Sequence, residues 1–104
     1  MGVFAVRNRP QGKVLLGTSL NLPGALNRLR FELTHGSHRK FPALQEDWNR
    51  LGAEAFSFEV LDVLEPPEEP GGDLAGELSV LEALWVERLR PWGEAGYHPE
   101  PPRP

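Results

Sequence analysis

The side chains of this chain that could do chemistry are few and far apart. Glu82, in the run LEALW, borders an apolar helical stripe of Leu78, Leu81 and Trp85. A carboxylate there can serve a divalent cation, although spacing alone makes it a solvated helix-edge acid. Arg28, Arg30, Arg39 and Lys40 could contact phosphate, or simply cover polar faces. His35 and His38 have an HxxH spacing, but Gly36 and Ser37 between them favour a loop, and no third ligand stands nearby. Tyr97 is the only tyrosine. It reads as a ring packed at the closing edge of the domain with its hydroxyl in solvent.

The opening residues carry no such group. Val3 to Asn8 and Lys13 to Gly17 read as the arms of a β-hairpin turned by RPQG, and neither arm holds a hydroxyl, a histidine or a carboxylate. Leu15 shares a face with Lys13 by period two, which predicts a surface or cleft position outside the deepest core. Asn21 caps a predicted helix over 22–35, striped by Leu22, Leu26, Leu29 and Leu33. Pro42 opens a second helix with Phe41, Leu44, Trp48 and Leu51 as its stripe, ended by Gly52. Phe56, Phe58 and Val60 alternate as a third strand. EPPEEPGGD, from Glu65 to Asp73, is an acidic loop. Asp73 then caps a helix striped by Leu74, Leu78, Leu81, Trp85 and Leu89 and ended by Pro91. Trp48 and Trp85 lie on stripes and need no role in base stacking, while Trp92 in RPWGE is either a plug or part of a contact surface. The order β-β-α-α-β-α, beginning with a hairpin, predicts an α+β fold with a small antiparallel three-stranded sheet and flanking helices.

A length of 104 residues suits one domain over 1–98 followed by a proline-rich tail, 99–104. No apolar run approaches the roughly 18 residues of a membrane span. No secretory signal is visible, and the absence of cysteine excludes disulfides and thiolate metal sites. A cytoplasmic location follows by elimination. The net charge of −4 conceals a division: residues 1–45 carry +6 and the remainder −10. A basic first half could bind nucleic acid, but charge alone favours attraction between the two halves within the fold.

Six segments in order resemble the GIY-YIG nuclease family. GVF (2–4) stands where that family has GIY and LLG (15–17) where it has YIG. TSLNLPGALNRLRFE, LQEDWNRLGAEAFSFEVL, LEALWVERL and GYH resemble its first helix, second helix with third strand, glutamate helix and closing GYN, so the resemblance spans roughly residues 2–98. It implies a GIY-YIG endonuclease-like fold and divalent-metal-dependent hydrolysis of DNA phosphodiesters. In that chemistry a metal and an arginine neutralise the transition state, and phenolic oxygens handle the attacking water.

Carried over by residue, the resemblance makes Glu82 the ligand of Mg²⁺ or Mn²⁺. It puts Phe4 and Leu15 at the two tyrosine positions, Ala25 at the arginine, Leu29 at the histidine and His98 at the usual asparagine. Neither Phe4 nor Leu15 can hold a water or accept a proton. Arg28, one turn beyond Ala25, is the candidate replacement cation, and Arg30, Arg39 and Lys40 could extend a nucleic-acid-binding surface. Two readings follow: a nuclease of weak or absent activity, or a non-catalytic module binding nucleic acid, DNA by resemblance, or a protein side chain in the apolar cleft. Salt separates these partners, because counterion release weakens nucleic-acid binding steeply and leaves apolar docking untouched.

Overall fold

A computed structural model describes residues 1–65 and 73–99. Most of the EPPEEPGGD loop and nearly all of the proline-rich tail lie outside the described residues. Two alternating apolar segments form β1 (Gly2–Asn8) and β2 (Lys13–Ser19), joined by a turn in which Gly12 takes φ +71°, a conformation L side chains rarely adopt. β3 (Phe56–Val63) pairs with the other side of β1, so the sheet order is β2-β1-β3 and every pairing is antiparallel. The fold is α+β, with a three-stranded antiparallel sheet and three helices.

The helices are α1 (Leu22–Thr34), α2 (Pro42–Leu51) and α3 (Leu74–Leu89). Each starts where its local chemistry dictates. Asn21 accepts a hydrogen bond from Gly24 N–H, and Asp73 accepts one from Gly76 N–H, so each side chain satisfies an otherwise unpaired amide of the first turn. Pro42 needs no such partner, having no N–H. Arg90 ends α3 in the left-handed region, directly before buried Pro91.

β1 is the central strand and is buried on both faces. Phe4 and Val6 join Leu15, Leu22, Leu29, Leu33, Leu44 and Trp48 under α1 and α2. On the other face, Val3, Ala5, Val14 and Leu16 meet Leu81, Trp85 and Leu89 of α3. Two faces of this sort explain why β1 lacks a polar stripe. β3 is an outer strand, so the alternation read from Phe56, Phe58 and Val60 is only half realised: Phe56 is buried, whereas Val60 is 48% exposed.

One expectation holds in part. Leu15 lines a cleft, yet it is only 3% exposed and packs within the core, despite sharing a face with Lys13. Lys13 lies at the start of β2 with its ammonium 3.7 Å from Asp47 Oδ2, so its charge is met by α2, and two residues further on the same face is roofed by apolar side chains. The charge division is met within the fold in part. Arg7 pairs with Glu59 at 2.8 Å and Lys13 with Asp47, each joining the basic to the acidic half.

Candidate functional site

An open cleft of about 820 Å³ wraps around the outer edge of β2. It brings together Phe4, Leu15, Ala25, Arg28, Leu29 and Glu82, and adds Arg39, Lys40, Phe41 and His98. Residues from positions 4 to 98 thus meet in one concavity.

The hairpin builds the floor. Phe4 lies opposite Gly17 across the strands, and a Cβ at position 17 would fall 2.3 Å from Phe4 Cζ. The buried ring therefore requires the glycine. α1 forms one wall, because Ala25, Arg28, Leu29 and Glu32 recur at helical spacing on its cleft side. Arg28 Nε lies 3.3 Å from Glu32 Oε2, yet the arginine side chain is 82% exposed and free to reach a ligand.

The loop 35–41 carries the other two cations, and it is pinned from beneath. His38 is buried; its Nδ1 lies 3.2 Å from Glu32 Oε1, and its Nε2 accepts the N–H of Phe41 at 3.3 Å. Gln45 accepts from His38 N–H and donates to Leu33 O, which ties the loop to both helices. The His38 hydrogen bond, with help from Arg28 and against partial burial, holds the Glu32 carboxyl below its usual range. Arg39 and Lys40 consequently sit at the cleft on an ordered loop, and among the described residues neither forms an ion pair. His35 points elsewhere, its Nδ1–H donating to Phe31 O while its ring lies against that of Phe31 at a 30° tilt. The HxxH pair is accordingly divided.

Glu82 and His98 close the cleft from the C-terminal side. Glu82 is half-buried on α3. The segment after α3 returns along β2, with Tyr97 N–H donating to Val14 O and His98 N–H to Pro91 O. The Leu16 N–H donates to His98 Nε2 at 2.8 Å, so the free edge of β2 is satisfied by an imidazole. Neutral His98 must then carry its proton on Nδ1. Burial pushes its pKa below the ordinary value, opposed by the charge of Glu82.

One expectation changes here. The Tyr97 hydroxyl is not in solvent. It donates to Asp47 Oδ2 at 2.8 Å and accepts from Asn8 Nδ2 at 3.0 Å, within a network that includes Lys13 and Arg50. Buried polar groups at those positions, with Asn8 0% exposed, attract the phenol inward. Phe41 packs against the core that holds Leu44 and Trp48, as its spacing implies, and as the N-cap residue before α2 it also lines the cleft. Arg30 is not in the cleft, its guanidinium lying 4.5 Å from the Phe58 ring centroid. Trp48 is in the core as its spacing implies, and Trp85 donates its indole N–H to Asp62. Trp92 is half-buried and bridges to His98.

Sequence reasoning did not find Asn8, Asp47 or Glu32 as organisers of this region. Only their polarity marks them, and nothing local distinguishes a buried Asn or Asp from an exposed one.

Comparison with solved structures agrees with this architecture. The catalytic domain of homing endonuclease I-TevI superimposes with a TM-score of 0.71 at 25% sequence identity, covering 92% of this chain and 94% of that one. A single-substitution mutant of the same intron endonuclease domain gives a TM-score of 0.71 at 23% identity, covering 93% of this chain and 90% of that one. No family model and no curated protein sequence matches the chain. The order of its strands and helices and these superpositions agree: the chain has a GIY-YIG endonuclease-like fold.

Proposed function

We propose that this protein is a nucleic-acid-binding domain on a nuclease fold, holding phosphate at the cleft through Arg28, Arg39 and Lys40, with its capacity for phosphodiester hydrolysis largely lost. One observation carries the reading: the positions to which the resemblance assigns the chemistry hold only carbon side chains in the cleft. Phe4 and Leu15 offer no lone pair, Ala25 no charge, and Leu29 no titratable nitrogen. A positioned general base contributes about a hundred- to ten-thousandfold, and each oxyanion donor about a further hundred- to thousandfold. Positions without either are far from a working nuclease. His98 is a poor substitute base, because the lone pair of Nε2 already accepts the Leu16 N–H. Its Nδ1–H is left to donate.

Glu82 is the residue that would hold Mg²⁺ or Mn²⁺. Among the described residues no three His, Cys, Asp or Glu side chains gather as a metal site. One carboxylate in an open cleft fits such an ion only when phosphate oxygens and water complete its octahedron. When bound, the ion supplies positive charge beside the phosphate. No described helix is long and apolar enough to cross a membrane.

Two assays test the proposal together. Purified protein is incubated with supercoiled plasmid and Mn²⁺ or Mg²⁺, beside Glu82→Ala and an EDTA control, and binding to DNA is followed across a salt series. The expected result is no nicking above the Glu82→Ala background and binding that weakens steeply with salt. Metal-dependent nicking that vanishes in Glu82→Ala would overturn the loss of hydrolysis. Absence of salt-sensitive binding would overturn the nucleic-acid reading itself.

A further inference from the structure

Resting on that nucleic-acid reading, we infer that Phe41 is a base-stacking platform and that the cleft takes an unpaired base of a single strand in preference to duplex. Phe41 is an unexpected residue for its place in the chain. It is the N-cap of α2, where a Ser, Thr, Asp or Asn would satisfy the first amides, and it makes no side-chain capping bond. Its half-buried ring packs on one side against the core and also lines the cleft. It stands between two imidazoles, with the His98 ring edge-on at 4.9 Å between centroids and the His38 ring nearly parallel at 6.2 Å. Lys40 Nζ lies 5.8 Å from its centroid.

An aromatic face flanked by cations is the combination that holds single strands. Bases stack on the ring whatever their identity, while Lys and Arg follow the backbone. The carbon side chains of Phe4 and Leu15 point the same way. A phosphate lowered onto Phe4 and Leu15 would lose its hydration and gain no donor, so charged oxygens belong at the rim with Arg28, Arg39 and Lys40. The flat apolar face of a base loses nothing there. Glu82 repels phosphate but can accept from a base's amino or imino edge, and His98 Nδ1–H can donate to a ring carbonyl. Bases in a duplex are stacked and paired, and present neither face nor edge to such a cleft without first being unstacked.

The test is fluorescence anisotropy with labelled oligo(dT), oligo(U) and a DNA duplex of equal length, using wild type, Phe41→Leu, Phe41→Trp and the pair Arg28→Gln with Lys40→Gln. Oligo(dT) or oligo(U) is expected to bind at least about tenfold more tightly than duplex. Phe41→Leu should weaken single-strand binding about tenfold and leave duplex binding unchanged, while Phe41→Trp retains the preference. Circular dichroism melting checks that Phe41→Leu is folded; if it is not, Phe41→Trp decides, since loss of the preference in that folded variant overturns stacking. Equal affinity for strand and duplex, or no effect of Phe41→Leu, overturns the platform. In that case the phosphate reading still stands if the double Gln variant has lost affinity and salt dependence. No binding of any probe overturns both.

Discussion

The hydroxyl of Tyr97 donates to Asp47 Oδ2 at 2.8 Å, joining residues 50 positions apart and fixing the chain one residue before His98. Asn8 Nδ2 donates to the same hydroxyl at 3.0 Å, so β1, α2 and the C-terminal segment meet at one phenol. Removing it takes a hydrogen-bond donor from the largely buried Asp47, while Asn8 keeps Gln11 Oε1 as an acceptor. Tyr97→Phe should destabilise the fold by about 1–3 kcal/mol, read from urea unfolding midpoints at constant m-value.

The same network predicts an alkaline limit. Burial first, then the hydrogen bond and charge of Asp47, hold the Tyr97 pKa well above its ordinary 10.0, while Asn8 acts in the opposite direction. Below pH 10 the phenol is protonated in folded and unfolded chains alike, and its contribution is complete. Above pH 10 the unfolded phenol ionises and the folded one does not, so stability falls as pH rises. Thermal melts between pH 9 and 11 should show this loss in wild type and a smaller one in Tyr97→Phe.

Asp47 sets an acid limit by the opposite sign. Burial works to raise its pKa, but the hydrogen bonds from Tyr97 and Arg50 and the charge of Lys13 prevail, and the net shift is downward from 3.8. Its contribution is present above about pH 4 and is lost as pH falls through and below that value. Asp47→Asn should flatten the acid side of the stability profile while lowering stability at pH 7.

Gly17 is expected to tolerate no side chain. The Cβ of Gly17→Ala would meet the Phe4 ring at 2.3 Å, and that ring is only 8% exposed. The substitution should cost about 1–3 kcal/mol by overpacking, with part recovered when Phe4→Leu is combined with it. Chemical denaturation of the single and double variants reads the coupling.

Arg28 should appear in the salt dependence of DNA binding more than in its selectivity. Its side chain is 82% exposed at the cleft, so Arg28→Gln should lower affinity evenly across sequences and reduce the log–log salt slope by about one. An unchanged slope would remove Arg28 from the phosphate contacts.

Much of this molecule was legible in its sequence because the deciding signals are local. The turn at RPQG, the caps Asn21 and Asp73, the prolines at 42 and 91 and the apolar stripes each act within a few residues, and together they determined an α+β chain of β-β-α-α-β-α order. The ordered segments also carried the resemblance to a nuclease fold, as well as the side-chain chemistry of the hairpin, since Phe4 and Leu15 lack oxygens in any conformation. Tertiary structure alone decided what those residues face. Whether Leu15 is roofed, whether Lys13 meets an acid, and whether Tyr97 turns inward all depend on partners in other elements, up to 89 residues away, which no local period encodes. Phe41 has the spacing of a core residue and the position of a cap, and only the return of the C-terminal segment along β2 places His98 against it. Burial and hydrogen-bond satisfaction are properties of the assembled surface, and they turn a run of ordinary side chains into a cleft.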